Sequence, residues 1–498
     1  MHHALQIQEI LLHIFSHCYS WPDSGSRSDL VSLARTCRAF KEPALDVAWG
    51  CLYNLAPLAQ CLPETAGHQR SFSIPLTQTE WDILRSYARR IRCILDFRRG
   101  LDEKSIEVLS NLPTTGPLFP NLRHLRCKYT TKSMHLLHLP FPSLISIEVN
   151  FEDPHWFEDS LQSLPEFSPN INSLSLYVCR SDIAFNKLVS SCICQWRNLQ
   201  TVICPKISLD VDALAHLSRM PALTQLTFKQ ILTFPDCGIP FFFRNLRNLT
   251  VHPTSLDSMP QLLSQIRLPA IRDFIVIFDS CPSKQEFTSF LVGVQISNAS
   301  RTMDVLFLYQ LPSPSNIVRS DLLVCFADLR PCMAFSNLHC IDINIECAVD
   351  LTDSDLLALA SVWPNLERFV INSDWGWNTL GGITPNGLLQ LLQRCQSLNW
   401  IALAMDTRGY SEPPPSGHFA SHGVTLPCHL FLDVLDSIME PESVPAIAAF
   451  FTGIAHHSHF SLHAWCGGKM IKLPGWEVSK DCWKVVSRQA RDATSRRP

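Results

Sequence analysis

The stretch LTDSDLLALASVWPNLERFVINSD, residues Leu351 to Asp374, reads as helix, turn and strand. Leu356, Leu357, Leu359 and Ala360 fall at near-helical spacing, with Thr352 or Asp353 placed to cap the helix. Trp363-Pro364-Asn365 ends it, because proline removes an amide donor and disfavours helix at the residue before it. Leu366 follows, then Phe369 and Ile371, two apart. In a strand that spacing puts Phe369 and Ile371 on one face and Arg368, Val370 and Asn372 on the other. Such a unit cannot bury its apolar face alone, so it calls for neighbours of the same kind.

The same turn recurs along the chain. It is seen at Phe119-Pro120-Asn121-Leu122, Phe141-Pro142-Ser143-Leu144, Ser168-Pro169-Asn170-Ile171 and Trp196-Arg197-Asn198-Leu199. Met220-Pro221-Ala222-Leu223, Phe243-Arg244-Asn245-Leu246 and Leu268-Pro269-Ala270-Ile271 continue it, as do Phe335-Ser336-Asn337-Leu338 and Cys395-Gln396-Ser397-Leu398. A weak member sits at Met303, Leu306 and Leu308. From Leu122 to Leu398 the step is about 28 residues, with irregular spacing, which falls in the leucine-rich-repeat range. The expected fold is α/β: an irregular solenoid with parallel strands on its concave face, preceded by a three-helix unit.

Composition narrows the class. Hydrophobic residues make up 46% of the 498, too many for a disordered chain. Charged residues are 17% and the net charge is −4, which points to no nucleic-acid partner. No apolar run approaches the roughly 20 residues of a membrane span, and no membrane partner is expected. Met1 to Gln6 lack the basic and apolar regions of a signal peptide, so the twenty cysteines read as reduced thiols of the cytoplasm or nucleus. Cys127, Cys204, Cys340 and Cys395 fall where the repeat takes a small apolar residue. The cysteines are expected to be mostly buried and free.

Residues 7–49 differ from the repeats. Ile7, Ile10, Leu11, Ile14 and Phe15 line one helical face, and Leu30, Leu33, Ala34, Cys37 and Phe40 a second. Ala44, Leu45, Ala48 and Trp49 follow Pro43 as a third short helix. So many apolar residues exceed what three short helices can hide, and some should face a partner. The bland reading is a helical cap for the solenoid, but caps need a polar outer face.

The anchors Glu9-Ile10-Leu11, Ile14-Phe15, Leu30, Leu33-Ala34, Cys37-Arg38, Phe40 and Leu45-to-Trp49 resemble an F-box. The family pattern is Leu-Pro-x-Glu-Ile/Leu-Leu-x-x-Ile-Phe, a loop, Leu-x-x-Leu-Ala-x-x-Cys-Arg-x-Phe/Trp, and a closing Leu-x-x-x-Trp. This chain departs at the start, with Ile7-Gln8 where Leu-Pro is usual. With the repeats added, nearly the whole chain resembles the F-box/leucine-rich-repeat proteins abundant in mushroom-forming fungi. The resemblance implies a non-catalytic subunit of a ubiquitin ligase. Ile7, Ile10, Leu11, Ile14, Phe15, Leu30, Leu33, Cys37 and Phe40 would bind a Skp-type adaptor that bridges to a cullin core. The repeats would hold an unknown protein substrate. The alternatives are a repeat scaffold without ubiquitin transfer and a zinc enzyme built on the tail.

The implied organisation is an F-box over 1–52, a helical linker over 53–90 and repeats over 91–410. A proline-containing loop follows over 411–430, then a terminal repeat and tail over 431–498. In the linker, Thr77-Gln78-Thr79-Glu80 is a capping-box signature that places a helix start near Thr77 or Thr79. Ile91, Ile94 and Phe97 read as a first strand, and Arg85, Arg89, Arg90, Arg92, Arg98 and Arg99 as a solvated edge. In the tail, Phe431 to Leu435 read as a strand and Val444 to Ala455 as a helix with Pro445 in its first turn. His459 to Trp465 resemble one last repeat, and the basic run from Lys484 to Arg497 is expected to fray.

Chemistry is sparse. His459 and His463, with His456, His457 and Cys466 near, are the best zinc candidates, but a spacing of four suits a helix and this stretch reads as a strand. Gly381-Gly382-Ile383-Thr384 lacks the lysine of a phosphate loop, and no catalytic triad or cofactor site stands out. Binding should therefore fall to strand residues opposite the core. Early strands offer polar groups: His124, Arg126 and Lys128, then Ser146, Glu148 and Asn150, then Tyr177. Lys229 and His252 follow. Later strands turn apolar: Ile275, Ile277, Phe307, Tyr309, Val370, Trp400, Ala402 and Ala404. Tyr177, Lys229, His252, Phe307, Tyr309 and Trp400 are the candidate substrate contacts. A partner or the tail, with Trp476 and Trp483 as plugs, is expected to cover the apolar stripe, the tail being the first choice.

Overall fold

The turn motif organises the fold as expected. In each copy the leading residue and the leucine or isoleucine three positions later are both buried: Phe119 with Leu122, Phe141 with Leu144, Trp196 with Leu199, Phe335 with Leu338, Trp363 with Leu366, Cys395 with Leu398. The asparagine between them ties copies together. Asn121 Nδ2 donates to the Arg89 carbonyl at 2.7 Å, and Asn170 Nδ2 donates to the Pro142 carbonyl at 2.9 Å. The computed structural model describes residues 7–18, 24–62, 76–96, 108–109, 116–130, 139–153, 155, 157–231, 240–297, 302–312, 321–410, 427–455, 459–470 and 474–495. The loop at 411–426, Phe97, Arg98, Arg99, His456, His457 and the Lys128 side chain lie outside this set.

The chain divides into two compact units, Met1–Leu223 and Thr224–Pro498. The first opens with three helices: α1 (Gln8–His17), α2 (Ser24–Thr36) and α3 (Arg38–Gly50). Strand β1 (Cys51–Leu52) follows directly, then α4 (Ala56–Ala59), α5 (Gln78–Ala88) and β2 (Cys93–Ile94). Strands β3 (His124–Thr130), β4 (Ser146–Phe151), β5 (Ser173–Val178) and β6 (Thr201–Cys204) continue the sheet. Between and after them stand α6 (Glu158–Phe167), α7 (Ile183–Ile193) and α8 (Val211–Ser218). β1 to β6 pair in chain order, all parallel.

Two expectations change here. The spacing of Leu52, Leu55, Leu58 and Leu62 suits one helix, but Leu52 belongs to β1 and helix resumes only over four residues at α4. The break is local: Asn54 Oδ1 accepts the Ala56 N–H at 3.0 Å, and Pro57 sits in the first turn. The sheet therefore begins with Cys51, inside the stretch assigned to the helical domain. The α5 cap is as read. Thr77 Oγ1 accepts the Glu80 N–H and Glu80 Oε2 accepts the Thr77 N–H, a closed capping box.

The second unit repeats the plan. Strands β7 (Gln225–Phe228), β9 (Asn248–Val251), β11 (Asp273–Phe278), β12 (Val305–Gln310) and β14 (Cys340–Asn344) pair in parallel. β16 (Arg368–Ile371), β17 (Trp400–Ala402), β18 (His429–Asp433) and β19 (His459–His463) continue in the same sense. Two short parallel pairs flank them, β8 (Phe241–Phe242) with β10 (Ile266–Arg267) and β13 (Leu323–Cys325) with β15 (Ala348–Asp350). The helices are α9 (Met259–Gln265), α10 (Lys284–Ile296), α11 (Phe326–Leu329), α12 (Asp353–Val362), α13 (Pro385–Arg394), α14 (Val444–Ala455) and α15 (Trp476–Ser495). Successive strands in register, each followed by a helix or turn, make this the leucine-rich-repeat plan. β18 overlaps the strand expected over Phe431 to Leu435, starting two residues earlier, and β19 falls in the last repeat expected from His459 to Trp465.

The basic tail is helix rather than frayed coil. Trp483, Val486, Ala490 and Ala493, at helical spacing, are all buried, so one face of α15 is core. The Trp483 ring packs against Phe451 of α14, and its indole N–H donates to the Ser437 carbonyl at 3.0 Å. The Trp465 indole N–H donates to the same carbonyl at 3.2 Å.

The stretch from Leu351 to Asp374 shows how copies lock. Thr352 caps α12, its Oγ1 accepting from the Asp355 N–H. Asp353 instead reaches the next copy: its Oδ1 accepts the Thr384 N–H at 2.8 Å and its Oδ2 accepts the Thr384 hydroxyl at 2.6 Å. Glycine is required opposite, since a Cβ on Gly387 would stand 1.9 Å from Asp353 Oδ1. We predict that Gly387→Ala destabilises the chain by about 2 kcal/mol. Losing charge-assisted bonds of roughly 1.5–3 kcal/mol outweighs the roughly 1 kcal/mol that alanine adds in a helix. Gly468→Ala, where a Cβ meets open space, should move stability by less than about 0.5 kcal/mol. Urea unfolding measures both; a Gly387→Ala chain as stable as the parent would remove this lock.

Candidate functional site: two open surfaces

The first surface lies on the helical unit. Leu11, Phe15, Leu30, Ala44 and Ala48 form its closed core, with Leu33, Ala34, Phe40, Val47 and Trp49 packed around them. The Phe15 and Phe40 rings meet edge to face at 5.3 Å. Of the nine candidate adaptor contacts, Leu11, Phe15 and Leu30 are therefore interior, and Leu33, Cys37 and Phe40 are half-buried. The open face is carried by Ile7, Ile10 and Ile14, which remain 47%, 37% and 41% exposed. At positions i, i+3 and i+7 they form one stripe along α1. Val31 of α2 is exposed as well.

The helical unit is fixed to β2 by charge. Arg90, two residues beyond α5, donates to both Glu42 and Asp46 of α3. The Trp49 ring packs on Tyr87 of α5 at 4.7 Å, and the Arg92 N–H donates to the Gly50 carbonyl at 2.9 Å. One member of the expected arginine edge is thus structural: Arg90's side chain is 9% exposed.

The second surface is the face of the sheet opposite the core in the second unit. The register places Cys340, Arg368, Trp400, Phe431 and Ser461 in one row and Asp342, Val370, Ala402, Asp433 and His463 in the next. Arg368 donates from Nε and Nη2 to Asp342 Oδ2 at 3.1 and 2.7 Å, while its guanidinium lies 4.3 Å above the Trp400 ring. Trp400 stacks at 4.3 Å on Phe431, and Phe431 at 4.7 Å on His463. Beside them the His429 and His459 rings stack at 5.0 Å. The result is a continuous chain of planar groups from Asp342 to His463. Burial raises the Asp342 carboxyl above the usual range, against the lowering by Arg368. Burial raises Asp433 too, against the Leu435 N–H that it accepts.

A cleft of about 410 Å³ opens on this row, lined by Asn399, Trp400, His429, Phe431, His459 and Ser461. Aromatic walls with histidine, amide and hydroxyl edges suit a flat apolar side chain carrying a polar tip. The Arg368 charge is already engaged by Asp342, so the cleft carries no open anion clamp from that residue. Among the described residues no cluster of three or more histidine, cysteine or acidic side chains is arranged for a metal.

The other candidates fall as follows. Phe307 and Tyr309 are half-buried on β12 with parallel rings 6.0 Å apart, and the Tyr309 hydroxyl donates to Asp374 Oδ2 at 2.9 Å. Lys229 and His252 are half-buried near the ends of β7 and β9. Tyr177, on β5, stands apart in the first unit, its phenol raised by burial and then by Glu148. Asn372 and Val370, read as open-face residues, are buried. Asn372 takes a positive φ of 60°, which turns its side chain inward. There its Oδ1 accepts the Ile345 N–H at 3.0 Å and its Nδ2 donates to the Cys347 carbonyl at 3.1 Å. Ala402 and Ala404 are buried too.

Among the described residues the tail tryptophans do not plug the aromatic row, although Thr494 of α15 lines the cleft beside it. Trp483 is spent against α14, and Trp476 lies beside Trp465. A tail segment does reach the loop after β16. The Lys469 N–H donates to the Asp374 carbonyl at 3.2 Å and its ammonium sits 4.3 Å above Trp375. Gly467 passes so close that a Cβ would stand 2.7 Å from the Ser373 and Asp374 carbonyl oxygens. Trp400 itself stays 38% exposed. Trp400→Ala should therefore cost about 1–2 kcal/mol, the worth of one exposed cation–π contact and one aromatic stack. Phe369→Ala, one strand away on the core face, should cost roughly 3–5 kcal/mol. Thermal unfolding of both variants checks the assignment; equal losses would make Trp400 a core residue.

No family model matches this chain, and no curated protein does. Among solved structures, an internalin (InlF) from Listeria monocytogenes aligns over 74% of this chain and 88% of its own, at 11% identity and a TM-score of 0.31. The Rad7 and Elc1 complex of yeast aligns over 76% and 89%, at 11% identity and a TM-score of 0.30. The repeat assignment rests on the strand register and the buried turn residues described above.

Proposed function

We propose that this chain is the substrate-recognition subunit of a Skp/cullin/F-box-type ubiquitin ligase, with no catalytic residue of its own. The observation that carries the reading is the stripe of Ile7, Ile10 and Ile14, left open on a helical unit whose own core is closed. An apolar stripe on a completed core has no structural use within that unit and fits a partner helix face. The F-box-like spacing of the same residues makes a Skp-type adaptor the partner. The second unit's aromatic row would hold the substrate, and catalysis would be proximity: substrate lysines kept at high local concentration near the conjugating enzyme. No helix among the described residues is long and apolar enough to cross a membrane, and the proposed site of action is the cytoplasm or nucleus.

Ile10→Ala with Ile14→Ala tests this directly. Each side chain has roughly 1 kcal/mol of exposed apolar surface left to bury, so the pair should weaken adaptor binding about thirtyfold. The melting temperature should not change. Phe15→Ala should instead unfold the helical unit, because Phe15 is core. Co-purification with a Skp-type adaptor, measured for each variant, reads the result. Undiminished capture by the double variant would sink the reading, and a chain that never captures the adaptor would leave the repeats as a scaffold without ubiquitin transfer.

A further inference from the structure

Cys51 and Cys93 occupy a place apart among the nineteen described cysteines, all of them free thiols. Six of these are buried, and Cys340, expected inside, is half-buried on the open face. Cys51 and Cys93 are half-buried and face each other directly in the register of β1 and β2. Neighbouring strands run about 4.8 Å apart, inside the roughly 4.4–6.8 Å between Cα atoms that a disulfide spans. We propose that Cys51 and Cys93 are a redox-modification site, oxidised by peroxide to a reversible disulfide that ties the end of α3 to β2.

The surroundings separate the two sulfurs by role. Cys93 S–H donates to Cys51, and the Arg27 charge adds to this against partial burial, so the Cys51 thiol is held down to about 7. The Arg27 guanidinium is in place, donating to the Cys51 carbonyl at 2.8 Å. Cys93 is pushed up by that same hydrogen bond and by burial. One sulfur is thus a ready nucleophile and the other a protonated resolving thiol. By contrast the buried Cys204 and Cys332 are pushed up to about 12 by burial.

The chemistry balances with hydrogen peroxide as oxidant. The Cys51 thiolate attacks one peroxide oxygen; an S–O bond forms, the O–O bond breaks, and the leaving hydroxide takes a proton as water. Cys93 sulfur then loses its proton and attacks the sulfenic sulfur; an S–S bond forms, the S–O bond breaks, and a second water leaves. Two thiols and one peroxide give one disulfide and two waters, with two electrons passing from sulfur to peroxide. In a reducing compartment such a bond would be transient, as redox-sensing disulfides are.

The bridge would close the segment that carries α4 and α5 and pin the strand that follows α3 without a linker. It would therefore stiffen the junction already held by Arg90, and it acts whatever partner the helical unit binds.

Peroxide titration of the reduced full chain, quenched by alkylation and read by peptide mass spectrometry, tests the proposal. A linked Cys51–Cys93 peptide should form at least ten times faster than oxidation of the exposed Cys179 or Cys428, and dithiothreitol should reverse it. Cys93→Ser should stop Cys51 at the sulfenic acid, trapped by dimedone; Cys51→Ser should leave Cys93 reduced. Oxidation of Cys51 no faster than Cys179, or its linkage to another thiol, would overturn the site. The wild-type ratio decides even if a serine variant fails to fold.

Discussion

Each copy of the repeat turns on one buried pair, usually a large apolar residue followed three positions later by a leucine or isoleucine. Burying both takes the chain from helix into strand, and at Asn121 and Asn170 the turn asparagine reaches back to the preceding copy. Parallel strands cannot be joined by tight hairpins, so a crossover must recur in every copy. The turn is where that crossover closes. Where its chemistry is strong, as at Trp363-Pro364-Asn365-Leu366, the neighbouring helix, cap and strand all agree with it. Such agreement between local and global preference is what a well-specified chain requires.

Periodicity is a property of one segment, and that limits what could be read in advance. The turns, the α5 capping box and the strands that follow the turns were largely legible because each carries its own pattern, whereas the short β8, β10, β13 and β15 were not. β1 was not: two residues, Cys51 and Leu52, hold no period, and Leu52 joins a leucine series that reads as helix. The capping box at Ser283 and Glu286 obeys the same rule as that of α5 and could have been found by it. The α15 helix was missed because its polar face is so basic, although Trp483, Val486, Ala490 and Ala493 keep helical spacing.

The candidate surfaces were legible in type but not in detail. On α1 the apolar residues span more than one stripe, and only the position of α3 decides that Leu11 and Phe15 turn inward while Ile10 and Ile14 stay out. On the sheet, the row from Asp342 through Arg368, Trp400 and Phe431 to His463 joins residues from five strands, and no local pattern links positions so far apart. Val370 obeys strand alternation yet is buried, and Asn372, just past β16, is turned inward by its positive φ. Alternation tells which face a side chain leaves from, not what lies over it. The low charge content has a similar consequence. Asp342, Asp433 and Asp436 are buried, and each is matched with an arginine or with backbone N–H groups.

The helix α15 lies against α14 and the last strand, β19, with Trp483 sunk between it and the preceding turn. A terminal strand of a parallel sheet would otherwise offer a row of unpaired amides and carbonyls to any other chain. At the opposite terminus of the chain's strand series, β1 is only two residues long, too short to template much pairing. Neither terminal strand is therefore a good seed for strand addition or for polymer growth. The same features constrain how such a chain can change length over generations. Copies inserted between existing ones inherit neighbours on both sides, whereas a copy appended after β19 would have to displace a buried tryptophan helix first. Growth from within, by duplication of interior copies, is the route the architecture leaves open.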